Sequence, residues 1–287
     1  MSGPTAAPSA GGTTTGESSR PSRATPAETA RPTGGRESMP SPKVGDFEVL
    51  FSGIRRPHGI GVVGDTVFVS SEVDRGLFRI EDGAPEFFAP LNFPHDMIAL
   101  PDGSLITPVF LEDRLVRIGP DAAVTELARG LAGPNGLTAG AAGGYIVSNY
   151  RQGTVVLIER DAALPRTLAA RLKGPAGVAY DGRTLYVAEY LSNRVAVIEG
   201  ERRSEITPIG LTRIESLSID AGNRLLATAE RNGRGVVAAV QPDGRYDVLV
   251  TTELPAPLVG HFRGDGYVFL VSPNDPEGRV LRTFVGP

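Results

Sequence analysis

Three histidines supply all the imidazole groups of this 287-residue sequence, and two of them share a local pattern. His58 and His95 each follow a proline, in the segments PHG and PHD, whereas His261 lies near the end of the chain. A neutral imidazole is the commonest ligand of a divalent transition metal, and it is also a general acid or base near neutral pH. The histidines therefore predict metal-assisted or acid–base chemistry, provided that the fold brings them together.

The position of these prolines recurs along the chain and identifies a repeat. In each unit a strand that ends in Leu or Ile is followed three residues later by a turn residue: Pro57, Pro94, Pro134, Pro175, Ile214 and Pro257. By subtraction, successive turn residues are 37, 40, 41, 39 and 43 residues apart. Each unit has room for four short strands of alternating or β-branched residues separated by Gly- and Asp-containing turns. This period is typical of the blades of a β-propeller.

The two ends of the repeat predict how the ring closes. The sixth unit supplies only three strands before Pro287, and the orphan segment 47–54 supplies a fourth. Pairing the first strand with the last blade removes exposed strand edges. We therefore predict an all-β, six-bladed β-propeller over residues 45–287, with four antiparallel strands per blade. Residues 1–44 are rich in Pro, Ser, Thr and Gly and are predicted to form a disordered tail.

Composition excludes several classes of function. The formal net charge is -4 and the pI is about 5.5, so the chain lacks the basic excess that nucleic-acid binding requires. The absence of Cys excludes disulfides and thiolate metal sites. With no long apolar run and no apolar segment after the N-terminus, we expect no membrane association and a cytoplasmic location.

Blade topology places two sets of side chains at one mouth of the central channel. The residues that begin the innermost strands are His58, His95, Asn135, Ala176, Glu215 and Leu258. The ends of the second strands reach the same face with Glu72, Asn149, Tyr150, Glu189, Tyr190, Glu230 and Asp275. From these sets we predict three catalytic groups: His58, His95 and Glu215. The predicted substrate-binding residues are Asn135, Tyr150, Tyr190, Glu189, Glu230 and Glu72.

The three histidines fall in consecutive blades 6, 1 and 2. His58, His95 and His261 would therefore suit one divalent metal ion (zinc, calcium or magnesium), and we expect no organic cofactor. The alternative for each histidine is a structural role in which it satisfies local backbone groups at a strand start.

Structural alternatives also exist for the other mouth residues. The carboxylates of Glu189 and Glu230 would then pair with Arg151, Arg194 or Arg231. Tyr150 and Tyr190 are equivalent in adjacent blades, where they suit either stacking on a flat substrate or packing between blades.

The segment GPAGVAYDGRTLYVAEYLSNRVAVI (174–198) resembles the NHL repeat. This resemblance extends to six-bladed enzymes that include SMP-30-type lactonases, virginiamycin B lyase and peptidylamidoglycolate lyase. The PH motifs of His58 and His95 match those that bind zinc in peptidylamidoglycolate lyase, although that family distributes its histidines around the ring. Asn135 matches an SMP-30 metal ligand, but Ala176 replaces the Asp expected in the next blade.

Virginiamycin B lyase resembles the chain in its blades and in its acidic second-strand ends. The equivalent carboxylates here are Glu72, Glu189 and Glu230. Together these resemblances imply a lyase, hydrolase or cyclase that acts on a small molecule, as in secondary metabolism. The alternative hypothesis is a non-catalytic NHL-type propeller that binds a protein partner.

Overall fold

The computed structural model describes residues 45–81, 83–160 and 164–286, and the predicted tail over residues 1–44 lies outside this part of the chain. The described residues form 24 strands, which are arranged in six antiparallel sheets of four strands each. The first strand is β1 (Phe47–Phe51). Five sheets of consecutive strands follow it, and the last three strands complete the sixth sheet.

The strands of blades 1 to 3 are β2 (Pro57–Val63), β3 (Thr66–Ser71), β4 (Gly76–Glu81), β5 (Ala84–Pro90), β6 (Ile98–Ala99), β7 (Leu105–Val109), β8 (Arg114–Ile118), β9 (Val124–Arg129), β10 (Pro134–Ala139), β11 (Tyr145–Asn149), β12 (Thr154–Ile158) and β13 (Arg166–Ala169). Those of blades 4 to 6 are β14 (Pro175–Tyr180), β15 (Leu185–Glu189), β16 (Arg194–Glu199), β17 (Arg202–Ile206), β18 (Leu217–Ile219), β19 (Leu225–Arg231), β20 (Arg234–Val240), β21 (Tyr246–Thr251), β22 (Val259–Phe262), β23 (Tyr267–Val271) and β24 (Val280–Phe284). A single-turn 3-10 helix (Ala141–Gly143) lies between β10 and β11.

The described part of the chain contains no helix with the length and apolar character needed to cross a membrane.

The sixth blade closes the ring. Its strand order is β1-β24-β23-β22, and β1 pairs antiparallel with β24 so that Phe47 lies opposite Thr283 and Val49 opposite Leu281. The predicted six-bladed propeller and its closure by the N-terminal strand are thereby confirmed. Closure pairs the edges that an open sheet would expose.

The core lies between neighbouring blades. The middle strands are buried on both faces, and the contact between blades 4 and 5 is typical: Ala188 and Val195 pack with Ala227 and Val236 in one buried cluster. The outermost strands, in contrast, expose polar side chains to solvent. This difference explains why the middle strands read as nearly continuous apolar runs.

Glycines allow the innermost strands of adjacent blades to approach closely. An added Cβ at Gly59, Gly136 or Gly177 would lie 1.8, 2.2 or 2.3 Å from a backbone oxygen of the next blade. Gly177 also donates its N–H to the carbonyl oxygen of Glu215 at 2.6 Å. These contacts hold the starts of the inner strands around the channel.

We predict that Gly177→Ala destabilises the fold by about 2–3 kcal/mol, because the new methyl group overlaps backbone atoms that cannot rotate away. Gly264→Ala is the matched control, since an added Cβ there has no atom within 4 Å. Urea unfolding of both variants checks this prediction. Equal stability of the two variants would contradict it.

Candidate functional site

Four polar side chains lie at the mouth of the channel, where the inner strands begin. His58, Asn135 and Glu215 are 8, 8 and 7 % exposed, and His95 is 3 % exposed. Ala176 and Leu258 occupy the equivalent positions of blades 4 and 6 and are fully buried. The mouth is therefore lined by polar groups from the consecutive blades 1, 2 and 3 and by Glu215 of blade 5, which lies between the apolar positions of blades 4 and 6.

The two histidines form a contacting pair. The ring centroids of His58 and His95 are 4.0 Å apart, and the ring of Phe110 stacks on His95 at 4.9 Å. Phe93 meets both imidazoles edge-on, at 5.3 and 4.7 Å. Nδ1 of His58 and both ring nitrogens of His95 are buried without a hydrogen-bond partner. Such atoms destabilise a fold, so their presence points to a role in binding or catalysis.

Burial keeps both imidazoles neutral. It lowers the pKa of His58 to about 4, with a smaller contribution from the Arg56 cation. Burial also holds the pKa of His95 well below its ordinary value, and the adjacent His58 lowers it further. At neutral pH the pair can therefore accept a proton but carries no charge.

Glu215 is the acidic counterpart of this pair. Burial raises the pKa of its carboxyl group to about 8, and the nearby Asp96 carboxylate adds to the shift. The Asn135 amide lies beside both Glu215 and His95 and partly offsets the effect of burial on the pKa of each, although it does not reach either His95 nitrogen with the geometry of a hydrogen bond. The site thus places a protonated carboxyl group near neutral imidazoles, which is an arrangement suited to acid–base catalysis.

Asp96 is a site residue that the sequence analysis missed. Its carboxylate accepts hydrogen bonds from the N–H groups of Met97 at 2.9 Å and Leu137 at 3.2 Å, and so connects blades 2 and 3. Burial raises its pKa to about 7, although these two hydrogen bonds oppose the shift. One feature of the sequence could have identified Asp96. It occupies the position at which blades 1, 3 and 4 have the closely packed glycines Gly59, Gly136 and Gly177.

His261 does not join the other two histidines. It lies on β22, three residues beyond Leu258, which is about 10 Å farther along an extended strand. There it lines a cavity of about 250 Å³ together with Asp96, Tyr180 and Ser218. Burial lowers its pKa to about 4, with a contribution from Arg263.

The predicted metal site is therefore not assembled. Among residues 45–81, 83–160 and 164–286, no group of three or more His, Asp or Glu side chains is arranged to hold a metal ion. Leu258 fills the position at which the sixth blade would have to supply a third ligand to His58 and His95. The donor set does not fit the metal centres that the family resemblances imply.

The second-strand carboxylates are held by arginines. Glu72 pairs with Arg56 at 2.9 Å, and Glu230 pairs with Arg213 at 3.3 Å. Glu189 is buried, and its carboxylate accepts hydrogen bonds from the backbone N–H of Lys173 at 2.9 Å and from the guanidinium group of Arg203 at 3.2 Å. These three glutamates are thus engaged in ion pairs rather than placed as free carboxylates in the channel.

The arginine partners expected from the sequence were wrong. Arg151 pairs with Asp113, Arg194 pairs with Glu205, and Arg231 lies over the ring of Tyr246. The reason is that other parts of the same blade supply the partners: Arg203 lies on the outer strand of the blade that contains Glu189, and Arg213 precedes the inner strand of the blade that contains Glu230.

A row of aromatic rings borders the mouth. Phe110, Tyr150 and Tyr190 each follow the second strand of blades 2, 3 and 4, with ring centroids 6.3 and 6.4 Å apart along the row. All three are half-buried, as is Phe93, which lies 5.6 Å from Phe110. Burial and the Glu215 carboxyl group raise the pKa of both tyrosines. The tyrosines were predicted from the sequence and the phenylalanines were not, although Phe110 occupies the position equivalent to that of the tyrosines.

Comparisons with known proteins identify the fold. No protein-family model and no curated protein matches the sequence. Virginiamycin B lyase from Staphylococcus aureus aligns over 83% of this chain and 99% of its own at 13% identity, with a TM-score of 0.62. The gluconolactonase XC5397 from Xanthomonas campestris aligns over 83% and 89% at 16% identity, with a TM-score of 0.69. The PQQ-bound aldose sugar dehydrogenase from Streptomyces coelicolor aligns over 85% and 99% at 12% identity, with a TM-score of 0.63.

This chain shares the six-bladed propeller fold of these enzymes. The expected likeness to virginiamycin B lyase and to the lactonases is thereby confirmed for the fold. At 12 to 16% identity the likeness extends no further than the backbone architecture, so the argument for function depends on the mouth itself.

Proposed function

We propose that this protein is an enzyme that catalyses an elimination, or the reverse addition, on a small organic molecule bound at the channel mouth. The observation that carries the proposal is the buried, unpartnered histidine pair, which the Asn135 amide links to a carboxyl group whose pKa is raised to about 8. The fold supports it, because similar structures include a lyase and a lactonase.

An elimination needs one group that takes a proton and another that gives one. In the proposed reaction His58 removes a proton from a carbon atom, and Glu215 protonates the departing heteroatom. The carbon–hydrogen and carbon–heteroatom bonds break while a carbon–carbon double bond forms. The products of the transfer are an imidazolium and a carboxylate. These opposite charges stabilise each other in a buried site, so the net charge of the mouth does not change.

The neighbouring residues position these two groups. Phe110 stacks on His95, and His95 in turn lies against His58, so the catalytic imidazole has little freedom to rotate. Asn135 lies between the two halves of the site and offers an amide that can bind a substrate oxygen. In a cyclic ester, the same elimination would break the ring carbon–oxygen bond and so open a lactone. A lyase reaction would then give the ring opening that a lactone hydrolase also achieves.

Metabolite profiling tests this proposal. The protein is incubated with a library of secondary metabolites that contains lactones, esters and β-substituted carbonyl compounds, and loss of each compound is followed by mass spectrometry. We expect Glu215→Gln and His58→Asn each to lower the rate at which the compound is consumed by about 10²- to 10⁴-fold. Asn is compatible with this position, because blade 3 has Asn135 there.

Glu205→Gln is the control for these variants. Glu205 is an exposed carboxylate on an outer strand, and it pairs with Arg194 at 2.6 Å. Its replacement should leave turnover unchanged. Wild-type rates in Glu215→Gln and His58→Asn would contradict the proposed roles.

Binding of a protein partner is the second candidate function. Val73, Leu111 and Leu191 are 46, 54 and 65 % exposed in the turns between the second and third strands of blades 1, 2 and 4. These turns lie on the same face as the mouth, where they could contact a partner. If this is the only function, no compound will be consumed in the profiling experiment.

A further inference from the structure

The aromatic row at the mouth has features that a purely structural cluster does not need. Tyr150 and Tyr190 are half-buried, and within the described residues neither hydroxyl has a hydrogen-bond partner. Neither hydroxyl is a buried atom without a partner, so both are open to the space at the mouth, where they can bind a ligand. Both rings also lie close enough to Glu215 for its charge to raise their pKa. They therefore border the same space as the acidic group.

Among the described residues, three arginines near the aromatic row are all paired. Arg56 is paired with Glu72, and Arg213 is paired with Glu230. Arg151 pairs with Asp113 and lies over the ring of Phe110 at 5.2 Å. An anionic substrate would find each of these guanidinium groups already paired, and burying a charge without a partner is costly.

Phe93 closes the mouth over the histidines. It contacts both imidazoles and adopts φ +69°, in the left-handed region that bulky residues avoid. The equivalent residues also have positive φ, with Gly133 and Gly174 at +62° and +59° in blades 3 and 4 and Arg56 and Arg213 at +47° and +50° in blades 1 and 5, so this backbone shape recurs in the ring and does not itself require an aromatic side chain. Phe93 thus retains an unfavourable conformation while it covers the unpartnered nitrogens.

We infer that the site takes an uncharged substrate with a flat, unsaturated or aromatic ring, which stacks on Tyr150 and Tyr190 and displaces Phe93 from the histidine pair. This inference rests on the proposed function and adds the class of its substrate. The ring binds beside Glu215, and the tyrosine hydroxyls bind its polar substituents. Displacement of Phe93 exposes the imidazole nitrogens to the reacting atoms.

Binding of three probes tests the inference. Coumarin is flat and uncharged, octahydrocoumarin is its saturated counterpart, and coumarin-3-carboxylate is flat but anionic. Saturation-transfer-difference NMR on the full chain gives the Kd of each. We expect coumarin to bind about tenfold more tightly than either of the others. Tyr150→Ala and Tyr190→Ala should each weaken it by about five- to tenfold, as expected for the loss of one stacked ring.

Matched variants show whether the mouth is responsible. Phe87→Ala removes an exposed ring from an outer strand and should leave the Kd of coumarin unchanged. Phe93→Gly should tighten binding by about fivefold, because the closed state is lost. Arg75→Gly should not tighten binding, because it relaxes a positive φ (+51°) at an exposed residue that does not contact the histidines.

The outcomes separate this inference from the proposed function. Equal binding of the saturated probe, or unchanged binding in the Tyr150 and Tyr190 variants, would overturn the substrate class. A charged or fully saturated compound consumed in the profiling experiment would overturn it while leaving the elimination intact. Selective binding of coumarin that depends on both tyrosines would support it, even if no turnover were found.

Discussion

Replacing His95 with leucine will make the protein more stable and abolish its turnover. Leucine suits this position, because Leu258 occupies it in the sixth blade, and the surrounding rings of Phe93 and Phe110 are apolar. The substitution removes two buried nitrogens that have no partner. We expect a gain of about 1–2 kcal/mol in the free energy of unfolding at pH 7.5. Loss of function with a gain in stability is typical of a residue kept for chemistry.

The gain should increase in acid. Burial lowers the pKa of His95 below its ordinary value of 6.5, so below pH 6.5 the unfolded chain binds a proton that the folded chain refuses. The wild type therefore loses stability as the pH falls, and His95→Leu loses less. At pH 5 the advantage of the variant should be larger by about 2 kcal/mol.

Urea unfolding at pH 7.5 and pH 5 measures both effects. His261→Leu is the control, because His261 is half-buried beside a cavity and has no nitrogen that is buried without a partner. It should show no gain at pH 7.5. If His95→Leu is less stable than the wild type at both pH values, the histidine is a structural residue and its proposed role in positioning His58 fails.

Replacing Glu215 with glutamine will remove a pH dependence of stability as well as turnover. The folded pKa of about 8 lies above the ordinary value of 4.5, so the folded state retains a proton that the unfolded state releases. This contribution to stability is fully present below pH 4.5 and is lost as the pH rises through 8. Between pH 7 and pH 8 the wild type should lose about 1 kcal/mol, and Glu215→Gln should lose far less.

Thermal and urea unfolding at pH 7 and pH 8 provide the measurement. Asp96 has a pKa of about 7, so its own loss falls mainly below this window. Glu205→Gln, on an exposed outer strand, should keep the wild-type slope. An unchanged slope in Glu215→Gln would mean that this carboxyl group is ionised at neutral pH, and a proton donor would have to be found elsewhere.

The fold and the strand positions that border the mouth could be predicted from the amino-acid sequence. A propeller blade is a local pattern of strands and turns, and its recurrence reports the number of blades without any knowledge of long-range contacts. The same period aligned His58, His95, Asn135 and Glu215 at the starts of inner strands, because one residue per blade occupies that position. The unpaired first and last segments required closure by β1, since strand edges must be paired.

The chemistry of these side chains, in contrast, depends on contacts that form when the blades pack together. Burial and missing partners depend on atoms that neighbouring blades supply from about 40 residues away. Neither the pKa of Glu215 nor the covering of the histidines by Phe93 is encoded in a local pattern. Likewise, Leu258 holds the mouth position of blade 6 and leaves His261 farther along the channel. Periodicity assigns a residue to a blade and a strand position, whereas its chemistry depends on what packs around it.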